Sequence, residues 1–516
     1  MLRTTLLSIV AVVFLTMSFQ CLGAPRPNVI LLMADDMGWG DLSFRGHPNL
    51  ETPTLDDMAA SGVVFDRFYS AAPVCSPTRA SVLTGRHPFR SGIFFAMVPG
   101  VEQVLPRKEV TLGRLFRDAG YRTGFFGKWH LGTLSTDIAD GRFGGPDNTH
   151  LYSPPWEHGF ESVFATESRV PTYDPQLRPR SQSGAEPDRH PVVEVEEGTV
   201  RGWWPPLEDK RQGVFWGTRY WTGEDKPVQR ELHGDDSGII VDEAIEFVAQ
   251  EANDGQPFLA VVWFHTPHLP LVASPEEHSR YGDHEFFDRT YYGAVSAMDR
   301  EIGRLRDALK ALGLADNTVL WFTSDNGPEG LQGIAPGSAG GLRGRKRSLY
   351  EGGIRVPGIV EWPAGIQAGS RAQVPAVTTD IFPTVLGLAG IDVPAGRALD
   401  GKDLREIMSG KAEARRAPIG FESQHQLAWI DDRYKLVFIP SYDGPARQQA
   451  RLGPNPATSF DFELYDIADD PGETTDLASQ HSEVVERMAG QLARWRQSVA
   501  ASAAGDEPGE SGKKQE

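Results

Sequence analysis

The sequence predicts an α/β protein. It should have a large mixed, mostly parallel sheet with helices on both faces, and then a smaller C-terminal α+β subdomain with an antiparallel sheet. Three observations carry this. Four short runs, Asn28–Met33, Thr123–Phe126, Phe258–Phe264 and Thr318–Phe322, are rich in Val, Ile, Leu and aromatics and show little alternation. Strands covered on both faces read this way. Helical patterns separate the runs, as crossovers between parallel strands require. After about residue 395 the character changes: Leu427–Ile430, Tyr434–Ile439 and Phe462–Tyr465 read as antiparallel strands, and Ser482–Ser498 as a closing helix.

Along the chain, residues 1–24 have the pattern of a signal peptide. Arg3 supplies the positive charge, Leu6 to Leu15 an apolar run, and Cys21-Leu22-Gly23-Ala24 small residues for cleavage. The run is shorter than the roughly 20 residues of a membrane span. Lipidation of Cys21 is the alternative, disfavoured by the bulky lead-in Ser18-Phe19-Gln20. A secreted or periplasmic chain is expected, with the large domain over 25–395, the subdomain over 396–502 and a disordered polar tail over 503–516. Helices are expected at Thr54–Ser61, Leu112–Ala119, Ser237–Ala249, Thr290–Leu312 and Thr379–Leu388. In Thr290–Leu312, residues Tyr291, Val295, Met298, Ile302, Leu305 and Leu309 recur at helical spacing. Residues 134–235 read as irregular and hold Trp203, Trp204, Phe215, Trp216, Tyr220 and Trp221. A packed satellite core is the favoured reading of these aromatics, and a carbohydrate-stacking wall the alternative.

The formal net charge is −19. That argues against nonspecific binding to nucleic acid or anionic membrane. It also means that an anionic ligand must be drawn by a local basic pocket. No second apolar stretch is long enough to span a bilayer.

Of two cysteines, only Cys75 would outlast signal removal, and a lone thiol in an exported chain needs a reason. Pro77 suits a first helical turn and Gly85 a helix stop. Cys75 would then sit at a helix N-terminus that favours an anion, with Arg79 projecting near the same mouth. This suits a nucleophile acting on an oxyanion ester. Polar clusters follow all four strand runs: Asp35-Asp36, Lys128-Trp129-His130, His265 with His268, and Asp325-Asn326. Ligands of open α/β sheets bind outside the carboxyl ends of strands, so the clusters could converge. Asp35, Asp36, Asp325 and Asn326 offer only oxygen ligands, which suit Ca²⁺, or less often Mg²⁺, and not zinc. Each pair taken alone would read as a turn or helix cap.

Cys75-Ser76-Pro77-Thr78-Arg79-Ala80-Ser81-Val82-Leu83-Thr84-Gly85 resembles the Cys-x-Pro-x-Arg motif of the type I, formylglycine-dependent sulfatases, the arylsulfatase and N-acetylgalactosamine-6-sulfatase group. Pro27 to Asp41, Gly127-Lys128-Trp129-His130-Leu131-Gly132, Leu342 to Lys346 with Tyr350 to Pro357, and Leu464-Tyr465-Asp466 resemble its other motifs in order. The resemblance implies an alkaline-phosphatase-like fold and a sulfuric ester hydrolase acting on an aryl or carbohydrate sulfate. A maturation enzyme would convert Cys75 to formylglycine, whose hydrate attacks sulfur and later expels sulfate by re-forming the aldehyde. One ion, Ca²⁺ by this resemblance, would be held by Asp35, Asp36, Asp325 and Asn326 and would contact residue 75. Arg79, Lys128 and Lys346 would neutralise sulfate oxygens. His130 would bond the formylglycine hydroxyl, His268 would protonate the leaving group, and Asp325 would take the attacking hydroxyl's proton. His265 is read as structural, and Arg343, Arg345 and Arg347 as loop or outer-pocket charges.

Two rivals remain at this stage. A phosphate or phosphonate ester hydrolase of the same fold would need similar residues, but no second metal cluster is evident. A sulfated-glycan binding protein would need an unmodified Cys75 or a broken site, and every motif position is intact.

Overall fold

The computed structural model describes residues 26–180, 192–195, 198–331, 333–441 and 445–507. The expected signal peptide and residues 508–516 of the expected tail lie outside the described residues. Residues 503–507 are placed: the C-terminal helix Ser482–Ala503 includes the first of them, and Glu507 pairs with Arg86 and accepts from the Ala398 N–H at 3.0 Å.

Nine strands form the main sheet. In chain order they are β1 (Asn28–Ala34), β2 (Val63–Phe65), β3 (Arg122–Lys128), β4 (Ser162–Thr166), β5 (Tyr220–Trp221), β6 (Phe258–Trp263), β7 (Thr318–Ser324), β8 (Gly358–Glu361) and β9 (Ser370–Ala372). The spatial order is β5-β4-β3-β6-β1-β7-β8-β2-β9. The run from β4 to β7 is parallel throughout. β5 pairs antiparallel with β4, and β8 with both β7 and β2. The four expected strands are thus the sheet's centre.

Their unbroken apolar character follows from burial on both faces. Val29, Leu31 and Met33 enter one core with Phe116, Phe382 and Val385. Their neighbours Ile30, Leu32 and Ala34 enter the other with Ile240, Val248, Met298 and Ile302. Helices Leu112–Asp118 and Ile381–Ala389 cover the first face, and Asp236–Asp254 and Phe286–Ala311 the second. β4 and β5 correct the expectation that 134–235 is irregular. They are five and two residues long amid Pro and Gly, and they exist by pairing with a strand already formed rather than by their own pattern.

The C-terminal sheet joins β10 (Ile419–Ser423), β11 (Gln426–Ile430), β12 (Tyr434–Phe438) and β13 (Glu463–Asp466), all antiparallel and in that order. One face packs on Tyr69, Leu349 and Ile354 of the large domain. The other packs on Met488 and Leu492 of the helix Ser482–Ala503. That helix also grips the large domain. Arg90 donates to Asp400 through Nε at 2.7 Å and Nη2 at 2.9 Å, and through Nη1 to the Ser498 carbonyl at 2.9 Å. Trp495 Nε1 donates to the same carboxylate at 3.0 Å.

Burial alone would raise the Asp400 carboxyl, but the Arg90 guanidinium outweighs it and holds it at about 2. A depressed folded-state value contributes stability above the unfolded value near 3.8, lost as pH falls through about 2. The loss is about 2 kcal/mol. Asp400→Asn should therefore lower the melting temperature at pH 6, and its deficit against the wild type should shrink below about pH 4. A constant deficit across that window would show that Asp400 does not titrate in this way.

Candidate active site

The helix Cys75–Thr84 opens from the extended residue Val74 and stops at Gly85, which is left-handed at φ 68° and donates to the Ser81 carbonyl. A Cβ at Gly85 would meet Phe382 at 2.8 Å, so glycine is required there by space as well as by φ. Every residue of this helix is buried. Cys75 stands at its N-terminus, with Sγ 3.6 Å from Asp35 Oδ1. Burial first, and then the Asp325 carboxylate, push the Cys75 thiol up.

The polar clusters do converge at the carboxyl ends of β1, β3, β6 and β7. Lys128 Nζ donates to Asp35 Oδ2 at 2.5 Å, and Lys346 Nζ to Asp36 Oδ1 at 2.5 Å. Asn326 Nδ2 donates to Asp36 Oδ1 at 2.6 Å. His268 Nε2 lies 3.8 Å from Asp36 Oδ2, while its Nδ1 is bonded to the Leu269 carbonyl. His130 Nε2 bonds the Met97 carbonyl at 3.1 Å, and its buried Nδ1 has no partner. With Nε2 carrying the proton, Nδ1 is the ring's acceptor. Burial, and then Lys128, hold both histidines well below their usual value.

Arg79 lies deeper than a mouth position. It is fully buried and does not line the cavity. Its Nε and Nη2 donate to Asp325 Oδ2 at 3.1 and 2.7 Å, Nη1 to the Lys128 carbonyl at 2.9 Å, and Nη2 lies 3.3 Å from Asp35. The whole helix is sunk in the core, so its first turn faces the floor of the site rather than open solvent. Asp325 is held on both oxygens, the other accepting the Asp36 N–H at 3.1 Å.

Two site residues, Asp36 at φ 71° and His130 at φ 54°, adopt the left-handed backbone that favours glycine. Such strain persists only where surrounding contacts fix it, and it concentrates at functional sites.

The residues fit a hard cation. Asp36 Oδ2 and Asn326 Oδ1 are buried oxygens with no hydrogen-bond partner, which is costly unless something else satisfies them. Ligand atoms of Asp35, Asp36, Cys75 and His268 lie within 4.8 Å of one another. Asp35 is held low by its neighbouring cations against the effect of burial, while Asp36 is pushed up by burial. Two adjacent buried carboxylates of this kind call for positive charge between them.

Above this floor opens a cavity of about 620 Å³, lined by Cys75, Lys128, His130, His268 and Lys346 among others. Glu329 and Arg347 also line it. Arg347 is thus an outer-pocket charge, one of the two places expected for it, whereas Glu329 carries no signal in the sequence. His265 is structural, as expected: its ring bridges Asp236 Oδ2 at 2.7 Å and Thr166 Oγ1 at 2.8 Å. None of the six insert aromatics lines the cavity. Tyr220, Trp221 and Trp204 are buried, and Trp203 and Trp216 pack against a core, which favours packing over a stacking wall. Among the described residues no helix is long and apolar enough to cross a membrane.

Residues 27–391 match the Sulfatase family. The chain is 34% identical over 434 residues to N-acetylgalactosamine-6-sulfatase of Sus scrofa, covering 81% of this chain and 72% of that one. It is 31% identical over 549 residues to steryl-sulfatase of Rattus norvegicus, covering 93% and 91%. Among solved structures it resembles Ps i-CgsB in complex with k-i-k-neocarrahexaose, with a TM-score of 0.72 at 26% identity over 91% of this chain and 92% of that one. The match spans the β1, Cys75, β3, β6 and β7 segments that build the site, and this chain belongs to the sulfatase family, the sulfuric ester hydrolases.

Proposed function

We propose that this sulfatase cleaves a carbohydrate or aryl sulfate ester using a formylglycine made from Cys75 and one Ca²⁺ ion. The observation that carries the reading is the buried, all-oxygen pair Asp36 Oδ2 and Asn326 Oδ1, left without hydrogen bonds beside the N-terminus of the Cys75 helix. Overall, ester and water give alcohol, sulfate and a proton. When bound, the ion held by Asp35, Asp36, Asp325 and Asn326 supplies Lewis-acid polarisation of a sulfate oxygen. The modified residue supplies a hydroxyl nucleophile for covalent catalysis.

The chain's own residues divide the remaining work. Lys128 and Lys346 reach the cavity from opposite carboxylates and neutralise charge on the sulfate oxygens. His268, with Nδ1 fixed on a carbonyl, presents Nε2 to protonate the leaving oxygen. His130, with Nδ1 free of partners, accepts the hydroxyl proton of residue 75. Arg79 acts from below, holding Asp325 and Asp35 in place as a positioning residue. The pattern of residues 1–24 supports export to the periplasm or the outside.

Mass spectrometry of the peptide containing residue 75, taken from active enzyme, tests the central step. Formylglycine is expected there, and unmodified cysteine in fully active protein would overturn it. Assaying sulfate and phosphate esters of one phenol side by side tests the ester class, with faster sulfate release expected.

A further inference from the structure

The cavity wall next to Lys346 carries a carboxylate of the wrong sign for an anion site. Glu329 follows the Asp325-Asn326-Gly327-Pro328 turn after β7. It accepts from Arg347 Nη1 and Nη2 at 2.5 and 2.8 Å, and its Oε2 lies 3.5 Å from Lys346 Nζ. Glu329, Lys346 and Arg347 all line the cavity that holds Cys75.

The arrangement is built in from several sides. Arg345 Nη2 donates to the Glu329 carbonyl at 2.8 Å, and the Lys346 N–H to the Pro328 carbonyl at 3.1 Å. The Arg347 N–H donates to the Pro73 carbonyl at 2.8 Å, two residues before Cys75. Its own carbonyl accepts from Gln426 Nε2 at 2.6 Å. Arg347 is held left-handed at φ 75°, a cost a non-glycine residue bears only when its surroundings impose it. A contact that only pins the loop is indifferent to the charge of the ligand, whereas a fixed carboxylate at the cavity wall, even one paired with Arg347, changes which ligand charge is tolerated.

We propose that Glu329 is a specificity-determining residue that biases the cavity toward a singly charged tetrahedral ester and against a doubly charged one. A sulfate monoester carries one negative charge, and a phosphate monoester carries two above its second ionisation. Each ligand charge meets the Glu329 field once, so the dianion is penalised by one further increment. The Glu329 side chain is 31% exposed, so water and salt screen the field and the bias is moderate. Arg347 contributes the opposite increment. The proposal rests on the sulfatase reading only for which ester the wild type prefers.

The test uses matured full-length enzyme at pH 8 with 4-nitrophenyl sulfate and 4-nitrophenyl phosphate. Glu329→Gln should raise the phosphate-to-sulfate ratio of kcat/KM by about five- to tenfold, the size of one screened unit charge. Arg347→Gln should lower it. If phosphate turnover is undetectable, the inhibition constants of phenylphosphonate, a dianion at pH 8, and benzenesulfonate, a monoanion, neither of which has an ester bond to cleave, report the same charge discrimination at equilibrium. Loss of a merely structural contact would slow both esters alike and leave the ratio in place. A ratio within about twofold of wild type in E329Q, or a shift in the same direction in both variants, would overturn the proposal. A wild type that prefers phosphate would instead count against the ester class, and the Glu329 shift would still be read.

Discussion

Replacing Cys75 with Ala is expected to lower kcat on 4-nitrophenyl sulfate by at least about 10³-fold, because loss of a covalent nucleophile leaves only binding and electrostatic stabilisation. Stability should barely move. The thiol packs at a helix N-terminus with one weak polar contact, to Asp35, and its removal should cost about 1 kcal/mol. Turnover and thermal unfolding measured on the same preparation separate the two effects. A variant that keeps more than a tenth of wild-type kcat would exclude covalent catalysis at residue 75.

The largest effect on stability should come from Lys435→Met. Lys435 on β12 is completely buried between two carboxylates, Glu351 Oε1 at 3.0 Å and Glu473 Oε1 at 2.9 Å. Glu351 also accepts from Tyr69 OH at 3.0 Å, and its N–H donates to Glu473 Oε2 at 2.7 Å. Methionine fits the space but leaves the buried Glu351 anion without its cation, beside a Glu473 carboxyl that burial already pushes up to about 7, and breaking such a pair typically costs about 3–5 kcal/mol. Denaturant unfolding should show that loss, and K435M/E473Q should recover part of it by removing one stranded charge. Activity should fall as well. Glu351 begins the short helix that follows Lys346 and Arg347, so loosening the junction between the sheets loosens a wall of the site. A single variant as stable as wild type would mean that water enters and solvates the pair.

Much of this was legible because parallel strands covered on both faces leave continuous apolar runs, and because side chains that meet at one sheet edge each follow such a run. Asp35 and Asp36 after β1, Lys128 ending β3, His268 beyond β6 and Asp325 and Asn326 after β7 could be placed together on that ground alone. Depth was not legible. Helical spacing put Arg79 near the first turn of the Cys75 helix, but nothing local says that this helix is submerged on every side. β4 was hidden for a related reason, since Val163, Phe164 and Ala165 are too few to make a pattern. Nor could Glu329, or its pairing with Arg347, be singled out. Their pairing depends on a left-handed residue 347 and on anchors as distant in sequence as Pro73 and Gln426.

Cys75 is 2% exposed and sits within a helix buried along its whole length. Once the chain has closed over it, no editing enzyme can reach that side chain without unfolding the domain. On the proposed editing of Cys75, the decision between a competent and an incompetent molecule would be made once, in a race between editing and folding, and then frozen. If Cys75 is edited as proposed, a purified sample would be a fixed mixture of edited and unedited molecules with one fold. Its specific activity records the history of the expression host, and neither added ion nor dialysis can move a molecule from one population to the other.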